Sequence, residues 1–222
     1  MNWSWKVVYD VLPQMLEGLV ITVQATIIGA LVAYALGLIL AIMRMSNSRI
    51  ISLSTYWISE FIRRTPLLVQ LYFLFYVLPD LGIFLEPLEA GIIGLGLHFS
   101  TYTSEVFRAG IENVPTGQWE AAKSLNYRPY QTMRYVILPQ AIPPMIPPLA
   151  NYLITMFKET PLLSAITVVE LFNAANIYSN SHYKYLEPMT LVGLFFLIVS
   201  VPSAYIAMWL ERKYQRRYAR NH

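Results

Sequence analysis

The chain has 222 residues, of which 56% are hydrophobic and 13% are charged, about half of the roughly 25% that is usual in soluble domains. It contains no cysteine, which excludes disulfides and thiolate metal sites, and its net charge of +3 is too small to indicate a nucleic-acid partner. The composition predicts a membrane protein, and the length predicts a single domain over residues 1–222.

The first apolar stretch runs from about Gly18 to Met43 without a charge and predicts a transmembrane helix. Lys6, Asp10 and Glu17 precede it, and the stretch is too long for the apolar part of a signal peptide. We therefore expect a permanent anchor. Threonines within it, such as Thr22, are interpreted as helix contacts rather than as a site.

Four further apolar stretches follow the first. They run approximately from Ile51 to Leu78, from Leu88 to Arg108, from Gln140 to Phe157 and from Leu186 to Leu210. The stretch that begins at Gln140 is marginal against the roughly 20 residues that cross about 30 Å of hydrocarbon, and the others are long enough. We therefore predict an all-α membrane protein with about five transmembrane helices.

Ionisable residues within these stretches are candidates for a solute path, because a charge inside hydrocarbon is costly and needs a partner or water. The charged candidates are Arg63, Arg64, Glu105, Lys158 and Glu159, and Thr65, Tyr102 and Asn151 would add neutral hydrogen bonds. An arginine can bind a carboxylate through two hydrogen bonds. For a zwitterionic solute we expect Arg63 or Arg64 at the carboxylate and Glu159 or Glu105 at the positive end.

Structural pairing is the alternative for the same charges. Glu60 lies three and four residues before Arg63 and Arg64, so it can pair with either and leave the other free. Lys158 and Glu159 are adjacent and cannot face each other on a helix, so each needs a different partner. Both interpretations stay open.

Two segments with a common pattern lie in the second and fourth stretches. Phe61–Leu71 and Met156–Ile166 share an aromatic residue, a charged pair and the run Thr-Pro-Leu-Leu. A proline at mid-depth breaks the helical backbone and is tolerated only beside protein or a watery cavity. Corresponding breaks in a transporter point toward a central binding site, although such a short pattern can also arise by chance.

A polar segment, Glu120–Ala141, separates the third and fourth stretches. Glu120–Leu125 favours a short helix, Asn126 tolerates a left-handed backbone, and Pro129 suits the first turn of a second short helix. The segment thus predicts a helix–turn–helix on a membrane face.

The fourth stretch is rich in proline, which predicts that it begins kinked or non-helical. Five prolines lie just before its start or in its first half, Pro139, Pro143, Pro144, Pro147 and Pro148. His98 is expected to be a satisfied core histidine, and we expect no metal site, cofactor or catalytic residue. The sequence lacks the Gly-rich phosphate loop that binds ATP.

Basic residues predict the orientation. One side collects Arg44, Arg49, Arg108, Lys123, Arg128, Arg134, Arg212, Lys213, Arg216, Arg217 and Arg220, whereas the other has Lys6, Lys158 and Lys184. By the positive-inside rule the N-terminus faces outward, and the polar segment and C-terminus face the cytoplasm. The basic tail is interpreted as an orientation signal that also attracts anionic membrane lipid, rather than as a nucleic-acid patch.

The polar segment resembles the cytoplasmic coupling loop of type I ABC importer permeases. Glu120, Ala121, Ala122, Leu138 and Pro139 match that pattern, with Asn126 in place of the usual Gly and Val136 in place of Ile. Four runs upstream and downstream of it resemble the polar-amino-acid (histidine/glutamine permease) branch, although most members have Ser in place of Pro161. These runs are Tyr102–Gly110 with Pro115–Gln118, Arg63–Gln70, and Lys158–Leu163. The resemblance is closest to ectoine/hydroxyectoine permease subunits.

The resemblance implies a MetI-like permease fold with a coupling loop over about residues 112–139. A helix at about Gly117–Leu125 would sit in a groove of a cytoplasmic ATPase, with Glu120 meeting a basic residue and Ala121 and Ala122 allowing close approach. The coupling residues implied are Gly117, Glu120, Ala121, Ala122, Asn126 and Pro139.

The implied protein is a multi-pass permease subunit of the bacterial inner membrane that imports a polar amino acid or a compatible solute such as ectoine. Its implied partners are ATPase subunits, a second permease subunit (identical or paralogous), and a periplasmic or lipid-anchored solute-binding protein. ATP would be hydrolysed in the partner subunit. The alternative is an ion-coupled secondary carrier for a small zwitterion, in which Glu60, Arg63 and Arg64 relay protons.

Overall fold

The computed structural model describes residues 3–219, which form helices joined by short turns and contain no strand. Arg220 of the predicted basic tail lies outside the described residues. The α-helices are α1 (Trp5–Arg44), α2 (Arg49–Arg64), α3 (Leu67–Tyr72), α4 (Pro87–Glu112), α5 (Thr116–Ser124), α6 (Pro129–Gln131), α7 (Leu138–Glu159), α8 (Leu171–His182) and α9 (Leu186–Ala219). The chain is therefore all-α, as the sequence predicts.

Two helices of the described chain are long and apolar enough to cross a membrane alone: α1 and the Leu186–Trp209 part of α9. Two bent helical pairs meet the same test if each pair is taken as one span. These pairs are Arg49–Arg64 with Leu67–Leu81, and Pro129–Ile166 with Leu171–His182. The predicted third span coincides with α4, whose 26 residues are long enough but include many Gly, Ser and Thr. Much of α4 is buried within the bundle rather than exposed to lipid.

The second predicted span is not one straight helix. Its two halves meet at an angle of 99°, and the break falls at Thr65 and Pro66. Thr65 has extended backbone (φ −90°, ψ 130°), since a residue that precedes proline is pushed out of the helical region. Beyond α3 the chain continues through a π-helical segment, Phe73–Val77, and a 3₁₀ turn, Leu78–Leu81.

The fourth span was expected to begin kinked or non-helical, and the non-helical alternative is wrong for residues 138–159. There α7 is one α-helix with Pro143, Pro144, Pro147 and Pro148 inside it. Pro139 lies in its first turn, where a missing N–H breaks no helical hydrogen bond. The irregular backbone lies just upstream, as a π-helical segment over Thr132–Ile137.

Small residues hold α1 and α4 in close contact along the centre of the bundle. A Cβ at Gly37 would collide with the Thr103 hydroxyl and lie 3.0 Å from the Ser100 carbonyl oxygen. The Thr103 hydroxyl donates to the Ala33 carbonyl oxygen at 2.9 Å. Close backbone approach with a side-chain hydrogen bond is a typical way in which membrane helices associate.

Different helices meet at the two ends of the bundle. At one end the start of α1 meets the start of α9, where the Ser4 N–H donates to Glu187 Oε1 at 2.8 Å. At the other end the C-terminus of α4, α5 and the start of α7 share an apolar cluster that includes Ile111, Val114 and Ile137. The polar segment thus lies at the end of the bundle opposite to the N-terminus.

Candidate functional site

A cavity of about 570 Å³ lies where α2, α4 and the end of α7 meet. It is lined by Arg63, Arg64, Thr65, Pro66, Leu67, Leu68, His98, Tyr102, Lys158, Glu159, Pro161 and Leu162. Six of the eight residues predicted for the solute path therefore line one cavity; the other two, Glu105 and Asn151, do not.

The two Thr-Pro segments converge on this cavity. Pro66 breaks the backbone between α2 and α3, and Pro161 opens the 3₁₀ turn Thr160–Ile166 that ends α7. The segment after Pro66 packs against that 3₁₀ turn. Both backbone breaks therefore border a cavity, which is where an interrupted membrane helix can be accommodated.

The two neighbouring arginines have different surroundings. Arg64 keeps 79% of its side chain exposed, whereas Arg63 keeps 23%. Glu60 pairs with both of them, at 3.0 Å to Arg63 Nη1 and 2.8 Å to Arg64 Nε. The expectation that Glu60 leaves one arginine free is thus wrong, because its two oxygens face one arginine each. The exposed remainder of the Arg64 guanidinium is still open to a ligand.

Glu105 belongs to a different cluster. Its carboxylate accepts hydrogen bonds from Arg44 Nη1 at 3.0 Å and from Arg108 Nη2 at 2.7 Å. Arg63 Nη2 lies 3.6 Å away on the side of the cavity. With arginines from three helices around it, Glu105 is engaged in protein contacts.

Lys158 and Glu159 bring opposite charges to the cavity wall. No salt bridge within residues 3–219 involves either of them, in agreement with the expectation that neighbours on a helix cannot pair with each other. Lys158 is exposed and Glu159 is half-buried. A half-buried carboxylate without a cationic partner suits the positive end of a ligand.

Aromatic and neutral polar groups complete the wall. The Tyr102 ring lies 5.5 Å from the Arg63 guanidinium carbon and 5.7 Å from the Tyr152 ring. His98 is buried with Nδ1 3.1 Å from Gln70 Nε2, which fits the expected satisfied histidine. Thr65 donates its hydroxyl to its own helix, at the Phe61 carbonyl oxygen.

Asn151, the remaining predicted path residue, is exposed on α7 and does not line the cavity. Sequence reasoning missed His98 as a wall residue and Arg44 as a partner of Glu105. The pairs of Arg108 with Glu105 and Glu112 were readable from their spacings of three and four residues. Within residues 3–219 no group of His, Asp and Glu side chains could hold a metal ion.

The helix expected at about Gly117–Leu125 is α5, and its C-terminus is fixed by a left-handed residue. Asn126 has φ 55°, as predicted. Its N–H donates to the Lys123 carbonyl oxygen, and the Tyr127 N–H donates to that of Ala122. This pair of hydrogen bonds is a Schellman motif, in which Asn is the common substitute for Gly.

The residues expected to couple to an ATPase face different ways. Gly117, Glu120, Ala121 and Pro139 are exposed, and a Cβ at Gly117 would meet no atom within 4 Å. Ala122 is only 1% exposed, so its small side chain serves the packing of α5 onto this chain and not contact with another. The Glu120 carboxylate forms no salt bridge within the described part of the chain.

Contacts with the bundle fix α5 in place. Trp119 packs against the apolar cluster at the C-terminal end of α4 and the start of α7. Gln140 Nε2 donates to Gln118 Oε1 at 3.2 Å and to the Val136 carbonyl oxygen at 2.7 Å. A force on the exposed side of α5 would therefore reach the two helices that carry Tyr102 and Glu159.

The chain is similar to known proteins over most of its length. Residues 33–216 match the family model described as binding-protein-dependent transport system inner membrane component. The protein named "Probable amino-acid ABC transporter permease protein y4tG" of Sinorhizobium fredii is 45% identical over 88% of this chain and 84% of its own length. "Probable glutamine ABC transporter permease protein GlnM" of Bacillus subtilis is 31% identical over 96% of this chain and 99% of its own. A crystal structure described as an amino acid ABC transporter with histidines is 33% identical over 96% of this chain and 100% of that chain, with a TM-score of 0.88.

Proposed function

This chain belongs to the family of binding-protein-dependent transport system inner membrane components, and we propose that it imports a polar amino acid or a compatible solute such as ectoine or hydroxyectoine. It is a permease subunit of a polar-amino-acid-type ABC importer, a multi-pass protein of the bacterial inner membrane and not itself an enzyme. ATP is hydrolysed in a separate subunit. Its partners are ATPase subunits, a second permease subunit and a solute-binding protein.

The proposed solute class rests on two opposite charges on the cavity wall, those of Arg64 and Glu159. The exposed Arg64 guanidinium offers a planar fork to a carboxylate, and Glu159 offers an unpaired carboxylate to an ammonium or amidinium group. Arg64 already has Glu60 as a partner, so Glu159 is the group that needs a positive charge from the solute, and the exposed part of Arg64 can add hydrogen bonds to a carboxylate. This complementarity supports a zwitterion.

Coupling to ATP enters through α5. Nucleotide-driven closure of the ATPases displaces this helix, and Trp119 and Gln118 pass the displacement to α4 and α7. The exposed Glu120 meets a basic residue of the ATPase, and Gly117 and Ala121 keep the contact surface flat. The exposure of these residues at one end of the bundle supports this role.

The inner end of the bundle is then the end that contains α5. The N-terminus faces outward and the C-terminus lies in the cytoplasm. Basic residues close to α5, namely Lys123, Arg128 and Arg134, support this orientation through the positive-inside rule. A self-sufficient ion-coupled carrier would have no use for the exposed face of α5, and no contact in the cavity favours that alternative.

Uptake by the reconstituted importer tests the proposed solute class. The permease, its ATPase and its solute-binding protein are placed in vesicles, and entry of radiolabelled glutamine, arginine, ectoine and an uncharged sugar is compared. We expect ATP-dependent uptake of at least one zwitterion and none of the sugar. We expect Glu159→Gln to reduce that uptake about tenfold or more, as for loss of a hydrogen bond to a charged group.

Glu112→Gln is the matched control, since Glu112 is an exposed carboxylate on α4 that does not line the cavity. Its uptake should equal that of the parent protein. Equal uptake by the Glu159→Gln protein would remove Glu159 from the solute site. Uptake without an ATPase in the vesicles would instead favour the ion-coupled carrier.

A further inference from the structure

A chain of ion pairs leads from the cavity to the inner end of the bundle. Its members, in order of contact, are Arg64, Glu60, Arg63, Glu105, Arg108 and Glu112, and Arg44 is a second partner of Glu105. They come from α1, α2 and α4. The chain thus joins the arginine that faces the solute to helices that are fixed to α5.

The chain consists of two tight halves and one long link. On α2, Glu60 pairs with Arg63 and Arg64 at 3.0 and 2.8 Å. On α1 and α4, Glu105 pairs with Arg44 and Arg108 at 3.0 and 2.7 Å. Among the described residues one ion pair joins the halves, Arg63 Nη2 to Glu105 Oε1, at 3.6 Å. This distance exceeds that of a hydrogen bond.

Helix α2 is held mainly by polar contacts. Of its 16 residues only Thr55 and Ser59 are buried. The contacts to its neighbours include Ser52 Oγ to the Arg44 carbonyl oxygen at 2.7 Å and Arg63 Nη2 to the Thr101 carbonyl oxygen at 2.8 Å. An element with little apolar burial has a low cost of displacement, so these polar contacts set where α2 and its Arg64 lie.

We propose that Glu105 is a positioning residue: its long pair with Arg63 Nη2, together with the hydrogen bond from Nη2 to the Thr101 carbonyl oxygen of α4, is a latch that makes α2 follow the displacement of α4. This inference rests on the proposed function, because α4 is displaced only if an ATPase acts on α5. Through the latch, nucleotide binding would change the position of Arg64 at the cavity. Glu105 itself does not touch the solute.

The latch can open at low cost because each half stays compensated without it. Arg63 would retain Glu60 on its own helix, and Glu105 would retain two arginines. No buried charge is then left without a partner, which is the usual penalty for breaking such a pair. In the described part of the chain Arg63 Nε and Ser59 Oγ are buried without a hydrogen-bond partner. These two unused donors could form hydrogen bonds in a second arrangement of α2.

Spin labels on α2 and at the end of α4 test the latch directly. The chain has no cysteine, so Phe61→Cys and Asn113→Cys introduce the only two labelling sites, both exposed. Double electron–electron resonance on the importer in lipid nanodiscs gives the distance between them, with and without a trapped nucleotide. The ratio of solute-stimulated to basal ATP hydrolysis is measured on the same samples.

In the parent importer we expect the distance to be the same with and without nucleotide, because the latch makes α2 move together with α4. Glu105→Gln should make the distance change with nucleotide and lower the hydrolysis ratio about fivefold or more, the lower range of allosteric coupling. Glu112→Gln, at the far end of the same chain, should keep the constant distance and the parent ratio. If Glu105→Gln behaves as the parent does, or if Glu112→Gln shows the same changes as Glu105→Gln, the latch is refuted.

Glu105→Asp covers the case in which the glutamine variant does not fold. It keeps the charge that neutralises Arg44 and Arg108, but shortens the side chain by one methylene and puts Arg63 out of reach. A distance that changes with nucleotide in this variant supports the latch, and a constant distance overturns it. A parent importer that takes up solute while this distance changes with nucleotide refutes the latch alone. A parent without ATP-dependent uptake refutes the proposed function as well.

Discussion

The Thr22 hydroxyl accepts a hydrogen bond from the backbone N–H of Leu171 at 3.1 Å and so joins two helices that are 149 residues apart in the sequence. The same hydroxyl donates to the Gly18 carbonyl oxygen at 3.1 Å. A Cβ at Gly18 would lie 2.9 Å from the backbone of Glu170 and Leu171, so α8 can begin here only because residue 18 is glycine. Thr22 is thus a helix contact, as its place in an apolar stretch indicates.

Replacing Thr22 by valine should destabilise the protein by about 1–3 kcal/mol, because the buried N–H of Leu171 loses its acceptor. Thermal unfolding of the detergent-solubilised importer measures the effect. Thr190→Val is the matched control, since its exposed hydroxyl bonds only to its own helix, at the Leu186 carbonyl oxygen. It should change stability by less than about 0.5 kcal/mol. Equal effects of the two substitutions would contradict the assigned role of Thr22.

Substitutions of the two neighbouring arginines should have different effects. Arg64→Ala removes an exposed side chain from the cavity, so we expect weaker solute uptake at an unchanged melting temperature. Arg63→Ala removes the half-buried guanidinium that contacts Glu60 and the Thr101 carbonyl oxygen. We therefore expect both weaker uptake and a lower melting temperature.

Uptake at several solute concentrations and a melting curve on each variant separate the two roles. Arg64→Lys is informative beside them, because it keeps the charge and loses the planar fork. We expect uptake between those of the parent and Arg64→Ala. Normal half-saturation in the Arg64→Ala protein would take Arg64 out of the solute site.

The turn after α5 gives a prediction that depends on backbone conformation alone. Asn126 has φ 55°, a region that is costly for a β-branched residue by about 1–2 kcal/mol. Asn126→Val should therefore weaken the coupling between uptake and ATP hydrolysis, since the end of α5 loses its Schellman hydrogen bonds. Asn126→Gly should behave as the parent or better. The measurement is the amount of solute taken up per ATP hydrolysed. Normal coupling in the Asn126→Val protein would contradict this role of the turn.

Local chemistry made parts of this architecture readable from the sequence. The left-handed turn at Asn126 and the pairing of Glu60 with its neighbours depend on residues within four positions of each other, and both are found. The backbone break at Pro66 is of the same kind. The angle of 99° between the two halves could not be predicted in this way, because the direction of the chain after a break is set by what the following helix packs against.

Long-range relationships were beyond the sequence. Arg44 and Glu105 are 61 residues apart, and nothing in either neighbourhood identifies the other as its partner. The orientation of α5 was likewise hidden, since a nine-residue helix of mixed character has no single apolar face. The packing of Trp119 decides that orientation, and it turns Ala122 inward while leaving Glu120 exposed.

Reversing the charge of Glu120 tests the contact between α5 and the ATPase. The carboxylate is exposed and forms no salt bridge among the described residues, so Glu120→Lys should leave the fold of this chain and its level in the membrane unchanged. Against a basic residue of the ATPase the new lysine introduces like-charge repulsion. We therefore expect uptake to be abolished and less ATPase to copurify.

Two further variants decide whether that result reflects charge at this position. Asp80→Lys makes the same reversal at an exposed site in the turn after α3, and it should leave ATPase copurification unchanged. Glu120→Gln removes the attraction without adding repulsion, so its uptake should lie between those of the parent and Glu120→Lys. An ATPase variant with the opposing basic residue changed to glutamate should restore uptake to Glu120→Lys, because the pair is then re-formed with its charges exchanged. Full uptake by Glu120→Lys with the unmodified ATPase would mean that α5 is not the surface on which the ATPase acts.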